Sequence, residues 1–330
     1  MTATRRDLLR GFAASFAVAT PFLLAECGPE PKRAGVGKPL SMQASWANDA
    51  EFIGYFVAIA KGWYEAGGLA FEYLQGGPET VSDEVLAKRQ CDVALTNIDG
   101  TVDAVLKQGA PFKVIGTQYQ KSPLGVVSLA ANNIRSPKDL VGKRLAVPDA
   151  NRLTVAAFLR LNNIDPNKVD IVNYLYDPDI LVKGTVDATV DFVTNVPYAI
   201  RLEGVVPNSF LFADFGFEMF MDTMVVSDET LRTKRQELVS FLRASRKGWE
   251  ENFKDIGVYP EQFKDSFYGN NGRTVDNEKY FNEQQKPLIE SPSGIFSMSA
   301  EGIDKTRESL ARIGLKAPAD LFVTDLLREV

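Results

Sequence analysis

SWANDAEFIGYFVAIAKGWYEAGGLAFEYLQGGP, residues 45–78, carries the pattern that decides the fold class. Phe52, Tyr55, Phe56, Ile59, Ala60 and Trp63 recur at helical spacing and form one apolar face, while Glu51, Lys61 and Glu65 fall mostly elsewhere. Asn48, three residues before Glu51, predicts a capping-box variant that offers acceptors to the first unpaired N–H groups of this helix. Gly67-Gly68 closes the helical unit, 69–74 reads as a strand, and Gly76-Gly77-Pro78 turns the chain. Outward from this unit the alternation continues, with helices near 80–89 and 101–108 and strands at 92–96 and 112–117. Strands alternating with helical patterns predict a parallel sheet covered by crossover helices.

At Ser122-Pro123 the chain is expected to cross into a second α/β unit, beginning with a strand at 126–130. Ser136-Pro137-Lys138-Asp139 predicts a helix start, with strands near 144–147, 169–174, 188–193 and 209–212 and helices near 154–161 and 178–182. Residues 218–226 read as the return crossing, and the chain after Ser227 is mainly helical. The expected division is lobe 1 from 40–122 and 222–330, and lobe 2 from 123–221.

With 330 residues, 45% apolar and 24% charged, the chain can bury a full core. A formal charge of −6 leaves no cationic excess for a polyphosphate backbone, which argues against nucleic-acid partners. There is no histidine, so the commonest metal ligand, the usual general base near neutral pH and every Ser-His or Cys-His pair are missing. Cys27 and Cys91 are too few for a zinc or iron–sulfur cluster. The expectation is no enzyme, no cofactor and no metal.

Residues 1–27 read as an export signal. Arg5, Arg6 and Arg10 give a positive start, 12–25 is uncharged, and TRRDLLR at 4–10 resembles a twin-arginine signal. LLAEC resembles a lipoprotein processing box that would lipidate Cys27, although Glu26 departs from the small residue that pattern requires; cleavage nearby without lipidation is the alternative. Residues 28–39, with Pro29, Pro31, Gly35 and Gly37, read as a flexible tether.

The opening segment, followed by LAKRQCDVAL (86–95), QGAPFKVIGTQYQKSPLGVVSL (108–129), IRSPKDLVGKRLAVP (134–148), LVKGTVDATV (181–190) and VSFLRASRKGW (239–249), resembles a family of solute-binding proteins. That family serves ABC importers and includes the thiamine-pyrimidine-precursor, alkanesulfonate, taurine and nitrate binders. The resemblance implies a type II periplasmic-binding-protein clamp: two α/β lobes joined by two crossing strands, C-terminal helices on the first lobe, and a ligand shut between them. It further implies a periplasmic location, a permease and ATPase as partners in the inner membrane, and a monomer.

Ligand groups in such a clamp come from loops after the strands. The candidates are Trp46, Asn48, Glu51, Phe52 and Tyr55, then Gly76 and Gly77, Thr96, Asn97 and Asp99, and Gln118 and Tyr119. The second lobe adds Asn151, Asn195 and Tyr198, and the return crossing Glu218 and Phe220. Phe52 and Tyr55 also suit a core position and Glu51 a capping role. Aromatics, amides and carboxylates dominate, with Arg152 the lone basic candidate, which favours a neutral or cationic heteroaromatic over an anion. A thiamine pyrimidine precursor fits, its amino group and ring nitrogen pairing with Glu51 or Asp99 and its face stacking on Trp46, Phe52 or Tyr198. Alkanesulfonate, taurine or nitrate is the alternative. A pyrimidine-synthase-like enzyme is the other, although the fungal synthase that resembles this family consumes its own histidine, which this chain lacks.

Overall fold

The computed structural model describes residues 38–269 and 272–330; the expected export signal, most of the tether and Cys27 lie outside them. Among the described residues ten strands form two five-stranded sheets. The first runs β2 (Phe71–Leu74), β1 (Leu40–Gln43), β3 (Val93–Thr96), β10 (Met221–Ser227) and β4 (Phe112–Tyr119). The second runs β7 (Asp170–Asn173), β6 (Arg144–Val147), β8 (Ala188–Phe192), β5 (Leu124–Leu129) and β9 (Pro207–Leu211). In each sheet the four strands linked by helical crossovers run parallel, β1 to β4 in the first and β6 to β9 in the second, and a single antiparallel strand is inserted among them: β10 between β3 and β4, β5 between β8 and β9. The chain passes between sheets twice, from Tyr119 to Leu124 and from Leu211 to Met221. This is the two-lobed periplasmic-binding-protein architecture.

The apolar face foreseen around Tyr55 becomes the centre of the first lobe. Phe52, Tyr55 and Phe56 are fully buried, and Tyr55 packs on Phe241 and edge-on to Trp249. The helices Ile53–Ala60 and Arg235–Asn252 touch through two glycines. A Cβ on Gly248 would stand 2.0 Å from the Gly54 carbonyl oxygen, and one on Gly54 2.3 Å from the Trp249 ring. Backbone can approach backbone this closely only where no side chain intervenes.

The helical stretch expected after Ser227 is broken near Lys234 into helices Asp228–Thr233 and Arg235–Asn252. The C-terminal half then wraps the first sheet. The helix Val275–Ile289 lies against the turn at Ala50–Phe52, and the strand-like bridges Val114–Phe322 and Thr117–Phe296 cover the free edge of β4, removing an exposed ladder. Among the described residues no helix is long and apolar enough to cross a membrane.

Candidate functional site

A cleft of about 290 Å³ opens between the lobes, floored by strand ends and their following turns. From the first lobe it is lined by Ser45, Trp46, Asp49, Glu51, Asn97, Met221, Asp222, Arg273 and Phe281. The second supplies Leu124, Ala150, Asn151, Tyr176, Val190, Asp191, Phe192, Asn195 and Val196.

The first wall is built on a short turn after β1. Asp49, rather than the expected Asn48, caps it: its Oδ1 accepts from the Glu51 N–H at 2.9 Å, while Asn48 turns away to donate to the Phe267 carbonyl and accept from the Tyr73 hydroxyl. Arg273 reaches in from the far end of the chain to pair with Asp49 at 2.5 Å and with Glu278 at 3.9 Å. Glu278 in turn accepts from the Ala50 N–H at 2.6 Å. Beside this pair, Ser45 Oγ donates to Asp222 Oδ1 at 2.9 Å and lies 3.4 Å from Glu51 Oε1. Gln118 Nε2 bridges the Glu51 carbonyl (2.8 Å) and Asp222 Oδ2 (3.2 Å). Asp222 adopts a left-handed backbone, φ 48°, inside β10, a conformation that costs a non-glycine residue about 1–3 kcal/mol and persists only where the surroundings fix it.

Burial dominates the ionisation of this wall. It pushes Asp222 up to about 6, even though Glu51 and Ser45 hydrogen-bond to its charged form. Glu51 is driven well above the usual carboxylate range by burial and then by the neighbouring Asp222 and Asp49 charges. Asp49 is also raised by burial, with Arg273 opposing the rise.

The second wall carries Asp191 near the end of β8, 4% exposed, with its Oδ2 buried and without a hydrogen-bond partner among the described residues. Burial raises this carboxyl to about 7, with the adjacent Thr189 and Tyr174 hydroxyls restraining the shift. Aromatic contacts join the walls: Trp46 meets Tyr176 at 5.9 Å between ring centroids and 57° between planes. With the Asn195 amide turned so its oxygen faces the guanidinium, it accepts from Arg273 at 3.0 and 3.3 Å, and its nitrogen then lies 3.1 Å from the Asn277 amide.

Of the residues singled out in the sequence, Trp46, Glu51, Asn97, Asn151 and Asn195 line the cleft. The others lie outside its lining, each for a visible reason. Phe52, Tyr55 and Tyr119 are buried in the first lobe's core, the Tyr119 hydroxyl donating to Gln285. Thr96 is buried between Thr101 and Thr223, and Gln118 sits one layer behind, holding Asp222. Gly76 packs its α-carbon on the Ala44–Trp46 backbone, where a Cβ would come within 2.4 Å, and Gly77 follows in the turn. Asp99 faces a separate groove shared with Asp83 and Asp103. Tyr198 meets Tyr280 at a tilt of 38° away from the lining, Glu218 pairs with Lys305 at 3.1 Å, and Phe220 is buried against Phe322. Arg152 pairs with Asp149 at 2.7 Å, so the cation of the cleft is Arg273 instead. Sequence reasoning also passed over Asp49, Tyr176, Asp191 and Asp222. For the last two a signal existed: a lone carboxylate inside each of the apolar runs ATVDF and MDTMVV.

Comparison with known proteins agrees with this architecture. The riboflavin-binding protein RibY of Chloroflexus aurantiacus is 26% identical over 235 residues, 69% of this chain and 66% of its own length. A Haemophilus influenzae protein, provisionally described as a thiamine biosynthesis protein, is 23% identical over 281 residues, covering 76% of this chain and 88% of its own. Among solved structures, the periplasmic aliphatic sulphonate binding protein SsuA of Escherichia coli superposes with a TM-score of 0.66 at 13% identity, over 88% of this chain and 96% of that one. The profile of the family described as NMT1/THI5 like matches residues 49–255. The two lobes, the cleft between them and this match together show that the chain belongs to the NMT1/THI5-like family.

Proposed function

We propose that this protein is an extracytoplasmic solute-binding protein that captures a small nitrogen heteroaromatic, a thiamine pyrimidine precursor, and delivers it unchanged to an ABC permease and ATPase. The observation that carries this reading is the set of carboxyl groups in the cleft. Asp49, Glu51, Asp191 and Asp222 all line it, and the guanidinium that shares it is already engaged by Asp49 and Glu278. Such a site, with its guanidinium already committed, has little to hold a sulfonate or nitrate, and its carboxyl oxygens suit a planar molecule with N–H donors and an aromatic face, for which Trp46, Tyr176, Phe192 and Phe281 provide the apolar surface. Residues 40–122 with 222–330 act as one body and 123–221 as the other, and closure is the signal the permease reads.

Riboflavin is the second reading, favoured by the identity to a riboflavin-binding relative. Both ligands are planar nitrogen heterocycles, so the cleft chemistry supports the class and ligand size must separate its members. A thermal-shift panel of 4-amino-5-hydroxymethyl-2-methylpyrimidine, thiamine, riboflavin, taurine, an alkanesulfonate and nitrate tests the proposal. A true ligand at 100 times its dissociation constant stabilises the fold by about 2.7 kcal/mol. Stabilisation by the pyrimidine supports the first reading and by riboflavin alone the second; stabilisation by the anions alone, or conversion of any compound, refutes both.

A further inference from the structure

The cleft holds four carboxyl groups, and three of them are answered from within the protein. Asp49 has Arg273 and the Glu51 N–H, Asp222 has Ser45 and Gln118, and Glu51 shares Ser45. Asp191 differs: among the cleft carboxyls it alone has a buried oxygen with no partner among the described residues. Three hydroxyls of the same lobe, on Tyr174, Thr189 and Thr194, are also buried without a partner, and Tyr174 and Thr189 stand next to the carboxyl. Those two hydroxyls restrain the carboxyl, yet neither makes a hydrogen bond to its Oδ2; an oxygen buried without one costs about 1–3 kcal/mol, so Oδ2 is left to accept from a molecule in the cleft.

Resting on the binding-protein reading above, we propose that Asp191 is the specificity-determining residue, accepting hydrogen bonds from a ligand edge that carries an exocyclic amino group. The carboxyl sits at the end of β8 on a rigid central strand, paired in register with Gly125 of β5, so its position is fixed before the ligand arrives. The choice falls on Asp191 rather than Glu51, because the latter is occupied by its own wall, and rather than Asp99, which faces another groove. A site built to accept N–H rejects an analogue lacking it, because the buried oxygen then stays unpaired.

The test crosses the residue with the ligand group. Calorimetry measures 4-amino-5-hydroxymethyl-2-methylpyrimidine and its analogue without the amino group on the wild-type protein and on Asp191→Asn and Asp191→Ala, each with its melting temperature. The expectation is that the wild type prefers the amino compound by at least about 100-fold and that both variants reduce this preference to under about 5-fold. If the wild type binds the pyrimidine but the variants keep the preference, the assignment of Asp191 is overturned while the proposed function stands. If the wild type binds neither compound, the functional reading falls and takes this assignment with it. Should both variants fail to fold, the wild-type complex decides: an amino nitrogen within about 3.2 Å of an Asp191 oxygen supports the proposal, and a longer separation overturns it.

Discussion

Replacing Arg273 with Gln keeps a polar side chain of similar reach but removes the charge that balances two carboxylates almost sealed from water, Asp49 at 2% and Glu278 at 2% side-chain exposure. Removing one partner from a buried pair costs about 3–5 kcal/mol, since the remaining ion is left uncompensated. The 22% exposure of the guanidinium places the loss toward the lower end, about 3 kcal/mol. At roughly 2–4 °C per kcal/mol for a body of this size, the melting temperature should fall by about 6–12 °C at pH 8. The loss must also depend on pH. Burial already raises the Asp49 pKa against the pull of Arg273, and without that pull it rises further, so the variant's native state keeps protons that the wild type has released. Its penalty therefore grows as pH rises and shrinks toward pH 5, where protonation removes the unpaired charge. Melting curves of both proteins from pH 5 to pH 8 check this. A loss below about 1 kcal/mol, or one equal at both ends of the range, would refute the ion pair as the element that holds this wall.

Other outcomes follow from single contacts. Gly248→Ala forces a methyl group against the Gly54 carbonyl and should lower stability by about 1–3 kcal/mol, read from the urea midpoint; an unchanged midpoint contradicts the close helix contact. The raised pKa of Asp191, about 7 against an ordinary 3.8, means that the folded chain holds a proton the unfolded chain has lost between those values. The wild type therefore loses this contribution to stability as pH rises through that window, and Asp191→Asn should gain on it steadily from pH 4 to pH 7 in urea titrations, whereas a constant difference would place the carboxyl in water. Trp46→Ala removes the ring that bridges to Tyr176, a contact of about 0.5–1.5 kcal/mol, and should weaken ligand binding by roughly 2- to 12-fold in calorimetry; undiminished affinity would show that this contact does not favour the shut form.

Much of the fold could be read from periodicity, because a helix with one apolar face and a short β-branched strand leave different repeats. The stretch around Tyr55 has one such face, and it became the packed centre of the first lobe. The site was less legible. Strand-end loops point to Trp46, Glu51, Asn97, Asn151 and Asn195 because position in a strand–loop–helix unit is a local property. Asp191 and Asp222 lie within strands that otherwise read as core, and only assembly of the two sheets turns those strand ends toward one gap. Arg273 is beyond such reasoning altogether: it sits 224 residues from Asp49, and no repeat or spacing links the two. The apolar helix face likewise drew Phe52 and Tyr55 into the candidate set, although burial in the lobe gives them no access to the cleft.

Small-angle scattering during titration tests most directly the claim that the lobes shut on a donor-bearing heteroaromatic. Adding 4-amino-5-hydroxymethyl-2-methylpyrimidine should contract the radius of gyration saturably, taurine and nitrate should leave it unchanged, and the pyrimidine should be recovered intact. A radius indifferent to the pyrimidine, or one that contracts only with the anions, would contradict the account.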